Sequence, residues 1–181
     1  MTLTVKEELI KRSPLRILER SISGGLGKGN IGVLASRKGV GKTACLVHIA
    51  ADQLLQGKHV IHVSYASRVD HIMNWYEDIF KEIVKKPGMK SALEMADELS
   101  RNRVIMNFKQ EGTKTEQVLR SLEAMIVHGQ FGAETVIVDG LTLGPSGAAD
   151  LREPPPIAED ERVDLAGGVP QQDGAALERA P

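Results

Sequence analysis

The sequence predicts an α/β fold of three layers, with helices covering both faces of a mostly parallel central sheet. Short apolar segments alternate with longer segments whose apolar residues recur every three or four positions, which indicates strands alternating with helices. The predicted strands are nearly uniformly apolar, as parallel strands are when both faces are buried. Of 181 residues, 41% are apolar and 26% are charged, so collagen-like and wholly disordered classes are excluded.

The first half of the chain contains two predicted strands, each followed by a helix. Residues 30–36 (NIGVLAS) form a strand after a glycine, and 43–56 form a helix that Gly57 ends. Residues 59–64 (HVIHVS) form a second strand rich in Val and Ile, and a helix capped by Asp70 runs to about residue 85. The apolar stripes are Val47, Ala50, Ala51 and Leu54 in the first helix, and Ile72, Trp75 or Tyr76, Ile79 and Ile83 in the second.

Two further strands, each preceded by a helix, are predicted before residue 140. The strands are 103–108 (RVIMNF) and 135–138 (TVIV), and the second of them closes on Asp139. Both helices begin with the Ser/Thr-x-x-Glu spacing in which the two side chains cap a helix N-terminus. The pairs are Ser91 with Glu94 and Thr113 with Glu116, and the later helix carries Val118, Leu122, Met125 and Ile126 before Gly129.

The composition changes abruptly after residue 143. Residues 1–143 carry 20 basic and 16 acidic side chains, whereas 144–181 carry 3 and 8 and hold six of the eight prolines. Such a tail buries too little apolar surface to offset the entropy of ordering, so we expect 144–181 to be disordered. We therefore predict one folded domain over 1–143, with a helical lead-in at 1–29, followed by a low-complexity tail. A shifted reading frame in a GC-rich gene is an alternative source of the tail.

A phosphate-binding loop is predicted between the first strand and the first helix. The segment ASRKGVGKT at 35–43 fits four variable residues followed by Gly-Lys-Thr, with Ala in place of the leading Gly. Gly39 and Gly41 permit backbone conformations in which successive N–H groups point at phosphate oxygens. Lys42 would be the catalytic residue that stabilises phosphate charge. The predicted nucleotide-binding residues are Ala35, Ser36, Arg37, Lys38, Gly39, Val40, Gly41, Lys42, Thr43 and Ala44.

Magnesium binding is predicted for Thr43 and Asp139. Thr43 offers a hydroxyl at the N-terminus of the first helix, where phosphate and its Mg²⁺ would lie. Asp139 follows four apolar residues at the end of a strand, the position that a metal-orienting carboxylate needs opposite such a loop. We expect ATP or ADP with Mg²⁺ as the cofactor.

The segment 14–43 resembles the RecA/KaiC-like ATPases, including RadA-type and replicative-helicase relatives. Those proteins enter the ATPase core through a Gly-Gly-Leu-x-x-Gly segment, and this chain has SGGLGKGN at 23–30. The resemblance continues through 55–60 (LQGKHV) and 135–143. It implies a RecA-type core in which Lys42 and Thr43 match the phosphate and Mg²⁺ residues and Asp139 the metal-site aspartate. It also implies nucleotide at subunit interfaces, and therefore a homo-oligomer.

The chain departs from this family in two places. Relatives carry one or two glutamates after the second strand, which polarise the attacking water, but this chain has Tyr65, Ala66 and Ser67 there. We therefore expect weak or no hydrolysis, although Asp70 or Glu77 could substitute. The family fold also continues with further strands after the aspartate, whereas this chain turns into its Gly/Pro/Ala tail. We expect the sheet to stop there, with an exposed edge.

Two motor classes remain as alternatives. A ParA/MinD-type ATPase has a loop reading Lys-Gly-Gly-x-Gly-Lys-Thr, but Arg37 and Lys38 stand where its signature lysine and first glycine would fall. A DNA-handling RecA-type motor needs basic contacts to phosphates. The candidates for such contacts are Arg68, Lys85, Lys86 and Lys90. Trp75 and Tyr76 are candidates for stacking on nucleic-acid bases.

The remaining observations bear on partners and compartment. The net charge of −1 gives no global attraction to nucleic acid, so nucleic-acid binding is open but not indicated. No apolar run is long enough to span a membrane. The single cysteine, Cys45, and a polar N-terminus without a secretory signal are typical of a reducing cytoplasm. The five histidines lack the paired spacing of a zinc site.

Overall fold

The computed structural model describes residues 5–22, 24–37, 39–65, 69–84, 96–109, 111–140, 164–170 and 176–179. Within these ranges no helix is both long and apolar enough to cross a membrane. The helices are α1 (Val5–Arg12), α2 (Leu15–Ser21), α3 (Lys42–Leu55), α4 (Val69–Val84), α5 (described over 96–101) and α6 (Thr115–Glu123), which continues as a π-helical turn, Ala124–His128. The strands are β1 (Ile31–Ser36), β2 (His59–Ser64), β3 (Arg103–Asn107), β4 (Ala133–Asp139), β5 (Asp164–Pro170) and β6 (Ala176–Arg179).

The six strands form one mostly parallel sheet. Their order is β3-β2-β4-β5-β1-β6, and the pairs from β3 through β1 are all parallel. The terminal β6 runs antiparallel to β1. Helices join β1 to β2 and β2 to β3, as connections between parallel strands of one sheet require. The predicted α/β class with a mostly parallel sheet is therefore confirmed.

One face of the sheet packs against α3 and α4. Val60 of β2 and Ile137 of β4 belong to the same buried cluster as the apolar stripe of α3. That stripe includes the predicted Val47, Ala50 and Leu54, all fully buried. The cluster on this face also contains Leu46, Leu55, Ile72, Tyr76, Phe80 and Leu99.

The opposite face packs against α6. Ile61 and Val63 of β2 alternate with the residues that face α3, and they meet Val118 and Leu122 of α6 in a second buried cluster. Successive residues of β2 are therefore buried on both faces, which explains why the sequence of this strand is an unbroken apolar run.

The predicted helix and strand boundaries agree with the structure to within one or two residues, with one instructive difference. The pair Thr113 and Glu116 was expected to cap α6, but α6 begins at Thr115 with Lys114 as its N-cap. The Gln117 side chain accepts a hydrogen bond from the Lys114 backbone N–H at 3.4 Å. A capping glutamine in the same turn thus moves the helix start by one residue. The other predicted pair, Ser91 with Glu94, lies outside the described residues.

The tail differs from its prediction. Disorder was expected over 144–181, yet Asp164–Pro170 and Ala176–Arg179 are strands. β5 pairs with β4 on one side and β1 on the other, so the edge expected to be exposed beside β4 is covered. Composition predicts side-chain burial, but strand pairing uses backbone groups that every residue carries, and this explains how a segment poor in large side chains joins the sheet.

The described part of the predicted lead-in contains two short helices, α1 and α2, held against α3. The Arg16 guanidinium of α2 forms an ion pair with Asp52 of α3, a residue that is only 2% exposed. Lys6 of α1 pairs with Glu98 of α5 at 3.2 Å between Nζ and Oε1. These contacts attach residues 5–21 to the helical layer that covers the sheet.

Candidate functional site

Polar residues end the strands at one edge of the sheet. Ser64 closes β2 and is paired in register with Asn107 of β3 and Asp139 of β4, while Ser36 closes β1. The carboxyl ends of parallel strands are where open α/β sheets bind ligands. The loop from β1 to α3 therefore begins at the same end of the sheet as Asp139, where the parallel strands have their carboxyl ends.

The loop between β1 and α3 depends on two glycines. Gly39 has φ of 88° and Gly41, the N-cap of α3, has φ of 92°. Residues with a Cβ rarely adopt these angles. A Cβ on either glycine would meet no atom within 4 Å, so the backbone angle rather than crowding selects glycine. The turn delivers the chain to the N-terminus of α3, where backbone N–H groups and the helix dipole favour an anion.

The Lys42 ammonium lies across this loop. Its Nζ donates to the backbone carbonyls of Ser36 at 2.9 Å and Arg37 at 3.0 Å. An ammonium group has three N–H donors, and these two bonds hold it at the mouth of the turn with a third donor available to a ligand. The positive charge is thus positioned before any ligand arrives.

Thr43 and Asp139 meet although 96 residues separate them in the sequence. The Thr43 hydroxyl donates to Asp139 Oδ2 at 2.8 Å, which joins the first turn of α3 to the end of β4. Burial raises the pKa of the Asp139 carboxyl. The hydrogen bonds from Thr43 and from the Gly140 backbone, together with the Lys42 and His71 charges, act in the opposite direction.

The oxygens of Thr43 and Asp139 fit a magnesium ion. The Thr43 hydroxyl donates its hydrogen bond to Asp139. The lone pairs of the hydroxyl oxygen therefore point away from that bond and can bind a cation. Mg²⁺ prefers oxygen ligands and is commonly held by one or two protein groups together with waters and substrate phosphates. Among the described residues no group of three or more His, Cys, Asp or Glu side chains could hold a metal by itself.

The other predicted loop residues differ in what they can contribute. Ser36 is 5% exposed, and its Oγ has no hydrogen-bond partner among the described residues, while its backbone carbonyl accepts from Lys42. Val40 is 62% exposed at the tip of the turn. Ala35 and Ala44 flank the loop at the end of β1 and in α3, Arg37 supplies a carbonyl to Lys42, and Lys38 lies outside the described residues.

The candidate bases Asp70 and Glu77 lie on α4, in its first turn and near its middle. Tyr65 follows β2 and its backbone N–H donates to the Asp139 carbonyl at 2.9 Å, while Ala66 and Ser67 lie outside the described residues. Asp70 is exposed in the first turn of α4. Glu77 is also exposed, and it pairs with Lys81 one turn along at 3.5 Å. Glu77 is therefore a surface residue of α4.

Cys45 behaves as a partly buried apolar residue. It lies in the first turn of α3, and burial raises the pKa of its thiol. A raised pKa disfavours the thiolate, so the structure supports packing rather than reactivity.

Sequence reasoning missed a buried polar cluster behind the site. His62 of β2 has no exposed surface, and its Nδ1 lies 2.9 Å from the Tyr76 hydroxyl of α4. The Arg103 guanidinium stacks over the Tyr76 ring at 4.1 Å from its centroid. Burial and the Arg103 charge lower the pKa of His62 to about 4. A histidine inside an apolar strand was the available signal.

A scan against protein-family models finds no match to this sequence, and a search of curated proteins finds none either.

Proposed function

We propose that this chain is a nucleotide-binding protein that holds ATP or ADP with Mg²⁺, and that its fold is a P-loop NTPase of RecA/KaiC type. The hydrogen bond between Thr43 and Asp139 is the observation that carries the proposal. It brings together the Gly-Lys-Thr sequence and the strand-end aspartate, which lie 96 positions apart in the sequence. Their meeting at the carboxyl edge of a parallel sheet is the arrangement that phosphate and Mg²⁺ require.

Each residue has a defined task in this proposal. The backbone N–H groups of the loop that includes Gly39 and Gly41 would surround the phosphates. Lys42 would place its third donor on the terminal phosphate oxygens. Thr43 and Asp139 would hold Mg²⁺, which supplies neutralisation of the phosphate charge when bound.

Weak or absent hydrolysis is part of the proposal. Phosphoryl transfer depends on positioning the attacking water as well as on charge stabilisation, and no acidic residue stands at positions 65–67. Asp70 and Glu77 are exposed on α4. We expect occupancy by nucleotide to alter assembly or partner affinity rather than to drive rapid turnover.

We also propose that the protein forms a homo-oligomer. This part of the proposal rests on the resemblance to RecA/KaiC-like ATPases, in which nucleotide lies between subunits. We also propose that the protein acts in a reducing cytoplasm, since Cys45 has no second cysteine in the sequence with which to form an internal disulfide. Nucleic acid is not part of the proposal, because the net charge is −1.

Calorimetry of Mg-ATP binding together with phosphate release tests the proposal. Lys42→Ala removes a charge-assisted hydrogen bond of about 2–3 kcal/mol, so we expect affinity to fall roughly 100-fold. Lys81→Ala is the matched control, because Lys81 is 65% exposed on α4 and pairs with Glu77 and Asp78 of its own helix. It should leave affinity unchanged.

Three results separate the parts of the proposal. Saturable binding that Lys42→Ala weakens roughly 100-fold, with little phosphate release, supports all of it. Sustained turnover by the parent protein would contradict the claim of weak hydrolysis and favour a motor ATPase. Absence of saturable binding by the folded protein would overturn the nucleotide site itself.

A further inference from the structure

Helices α3 and α4 follow parallel strands and run side by side in the same direction. The groove between them is lined by His48, Ala51 and Leu55 of α3 and by Trp75, Asp78 and Glu82 of α4. The gaps between these residues are the same on both helices, so the two helices are in step along the groove. One turn earlier stand Ala44 on α3 and His71 on α4. His71 is therefore level with the first turn of α3, where the loop from β1 enters that helix.

Two observations connect His71 with Asp139. The chain leaves β2 beside Asp139, because the Tyr65 backbone N–H donates to the Asp139 carbonyl at 2.9 Å, and His71 follows in the first turn of α4. Burial raises the pKa of the Asp139 carboxyl, and the His71 charge is among the effects that lower it. Because the interaction between charges weakens with distance, the imidazole lies at the same end of the sheet as the proposed magnesium ligands.

The His71 imidazole is exposed at the surface of α4. It borders an open space of about 200 Å³ together with Asn74, Trp75 and Asp78, so it has room to turn toward a ligand. Its ring contacts the Trp75 ring with 6.5 Å between the centroids and 43° between the planes. This contact does not use the ring nitrogens, and an imidazole N–H can donate to a phosphate oxygen.

We propose that His71 donates a hydrogen bond to the terminal phosphate of bound ATP, so that α4 distinguishes ATP from ADP. This inference rests on the proposed nucleotide site and adds to it a residue from outside the loop. ADP lacks the terminal phosphate and leaves His71 without this contact. A ligand shifts a conformational equilibrium only through contacts that differ between the two states, and the His71 contact is one that depends on the third phosphate.

Calorimetry of the full chain with Mg-ADP and with the Mg complex of β,γ-methylene-ATP, whose terminal bond is not hydrolysed, tests this contact. His71→Ala removes a charge-assisted hydrogen bond, so affinity for the analogue should fall at least tenfold while ADP affinity is unchanged. The variant should fold, because alanine is a good helix former at an exposed position. His128→Ala is the matched control and should change neither affinity. His128 is also exposed, but it ends the π-helical turn after α6, on the opposite face of the sheet.

Trp75 fluorescence gives a second measurement, which a general loss of stability would not imitate. Trp75 is the single tryptophan of the chain, and its ring contacts the His71 ring. The analogue should change the emission of the parent protein more than ADP does, and His71→Ala should remove that difference. Equal changes with both nucleotides in the parent protein would contradict the proposed contact.

The calorimetric outcomes distinguish this inference from the proposed function. If the folded parent binds neither nucleotide, the nucleotide site and the role of His71 are both overturned. If the parent binds both nucleotides and His71→Ala weakens them equally, or weakens neither, the nucleotide site stands and the His71 contact is overturned. A selective loss of affinity for the analogue supports the contact.

Discussion

His62 shows how one buried residue makes the stability of this protein depend on pH. Its side chain has no exposed surface, its Nδ1 lies 2.9 Å from the Tyr76 hydroxyl, and the Arg103 guanidinium stacks over the Tyr76 ring. Burial, supported by the Arg103 charge, lowers the pKa of His62 to about 4, from an ordinary value of 6.5. The unfolded chain therefore takes up a proton as the pH falls through 6.5, whereas the folded protein does so only near 4.

We expect His62 to reduce the free energy of unfolding by about 2 kcal/mol between pH 7 and pH 5. His62→Leu should remove that part of the pH dependence, because leucine does not titrate. Tyr76→Phe is the control, since it keeps the buried imidazole and should keep the pH dependence while lowering stability at both values. Urea unfolding at pH 7 and pH 5 measures all three proteins. Identical pH dependence in the parent and His62→Leu would contradict the assignment.

At the scale of elements, the loop that joins β1 to α3 is defined by backbone angles. Gly41 has φ of 92° and open space around its Cα, so an added Cβ would be strained but would not clash. Gly132, before β4, likewise has open space but is not among the glycines with positive φ. The two positions thus differ chiefly in backbone conformation, and they form a matched pair.

Gly41→Ala should lower the free energy of unfolding by about 1 kcal/mol, the cost of a left-handed alanine. If the proposed nucleotide site is correct, Mg-ATP affinity should also fall at least tenfold, because the loop N–H groups would turn away from the phosphates. Gly132→Ala should change neither quantity. Equal effects of the two substitutions, in chemical unfolding and calorimetry, would argue against a role for the positive φ.

At the scale of the whole molecule, β5 joins two halves of the sheet. β3, β2 and β4 form one block and β1 with β6 another, and β5 pairs with both β4 and β1. A segment of the tail, together with α3, therefore fixes the position of Asp139 relative to the loop after β1. The proposed site depends on residues far beyond the sequence that carries its motifs.

Proline substitutions test this role of β5. Ala166 pairs with Gly32 of β1 and Ile137 of β4, whereas Ala176 is the first residue of the terminal strand β6. Ala166→Pro removes a backbone donor from a central strand and should lower the free energy of unfolding by about 2 kcal/mol or more. Ala176→Pro should cost much less, because proline is tolerated at the start of an edge strand. Similar urea midpoints for the two variants would show that β5 does not join the sheet in solution.

The sequence by itself determined the alternation of strands and helices, the α/β class, and the positions of Gly39, Gly41, Lys42 and Thr43 in one turn. These features are local: apolar periodicity and glycine spacing express the geometry of neighbouring residues. The start of α6 was misplaced because two capping patterns overlapped within one turn, and only the folded backbone selects between them.

Only the tertiary structure decided that the Thr43 hydroxyl meets Asp139, that His71 is level with the first turn of α3, and that the tail supplies β5. Each of these depends on residues distant in the sequence that come together through packing and strand pairing. Composition could not reveal β5, because a backbone hydrogen-bond ladder leaves little trace in side-chain identity. The local features could be predicted because hydrophobic periodicity indicates which side of a helix or strand is buried. The partner that covers that side could not be predicted, because it depends on the packing of the whole fold.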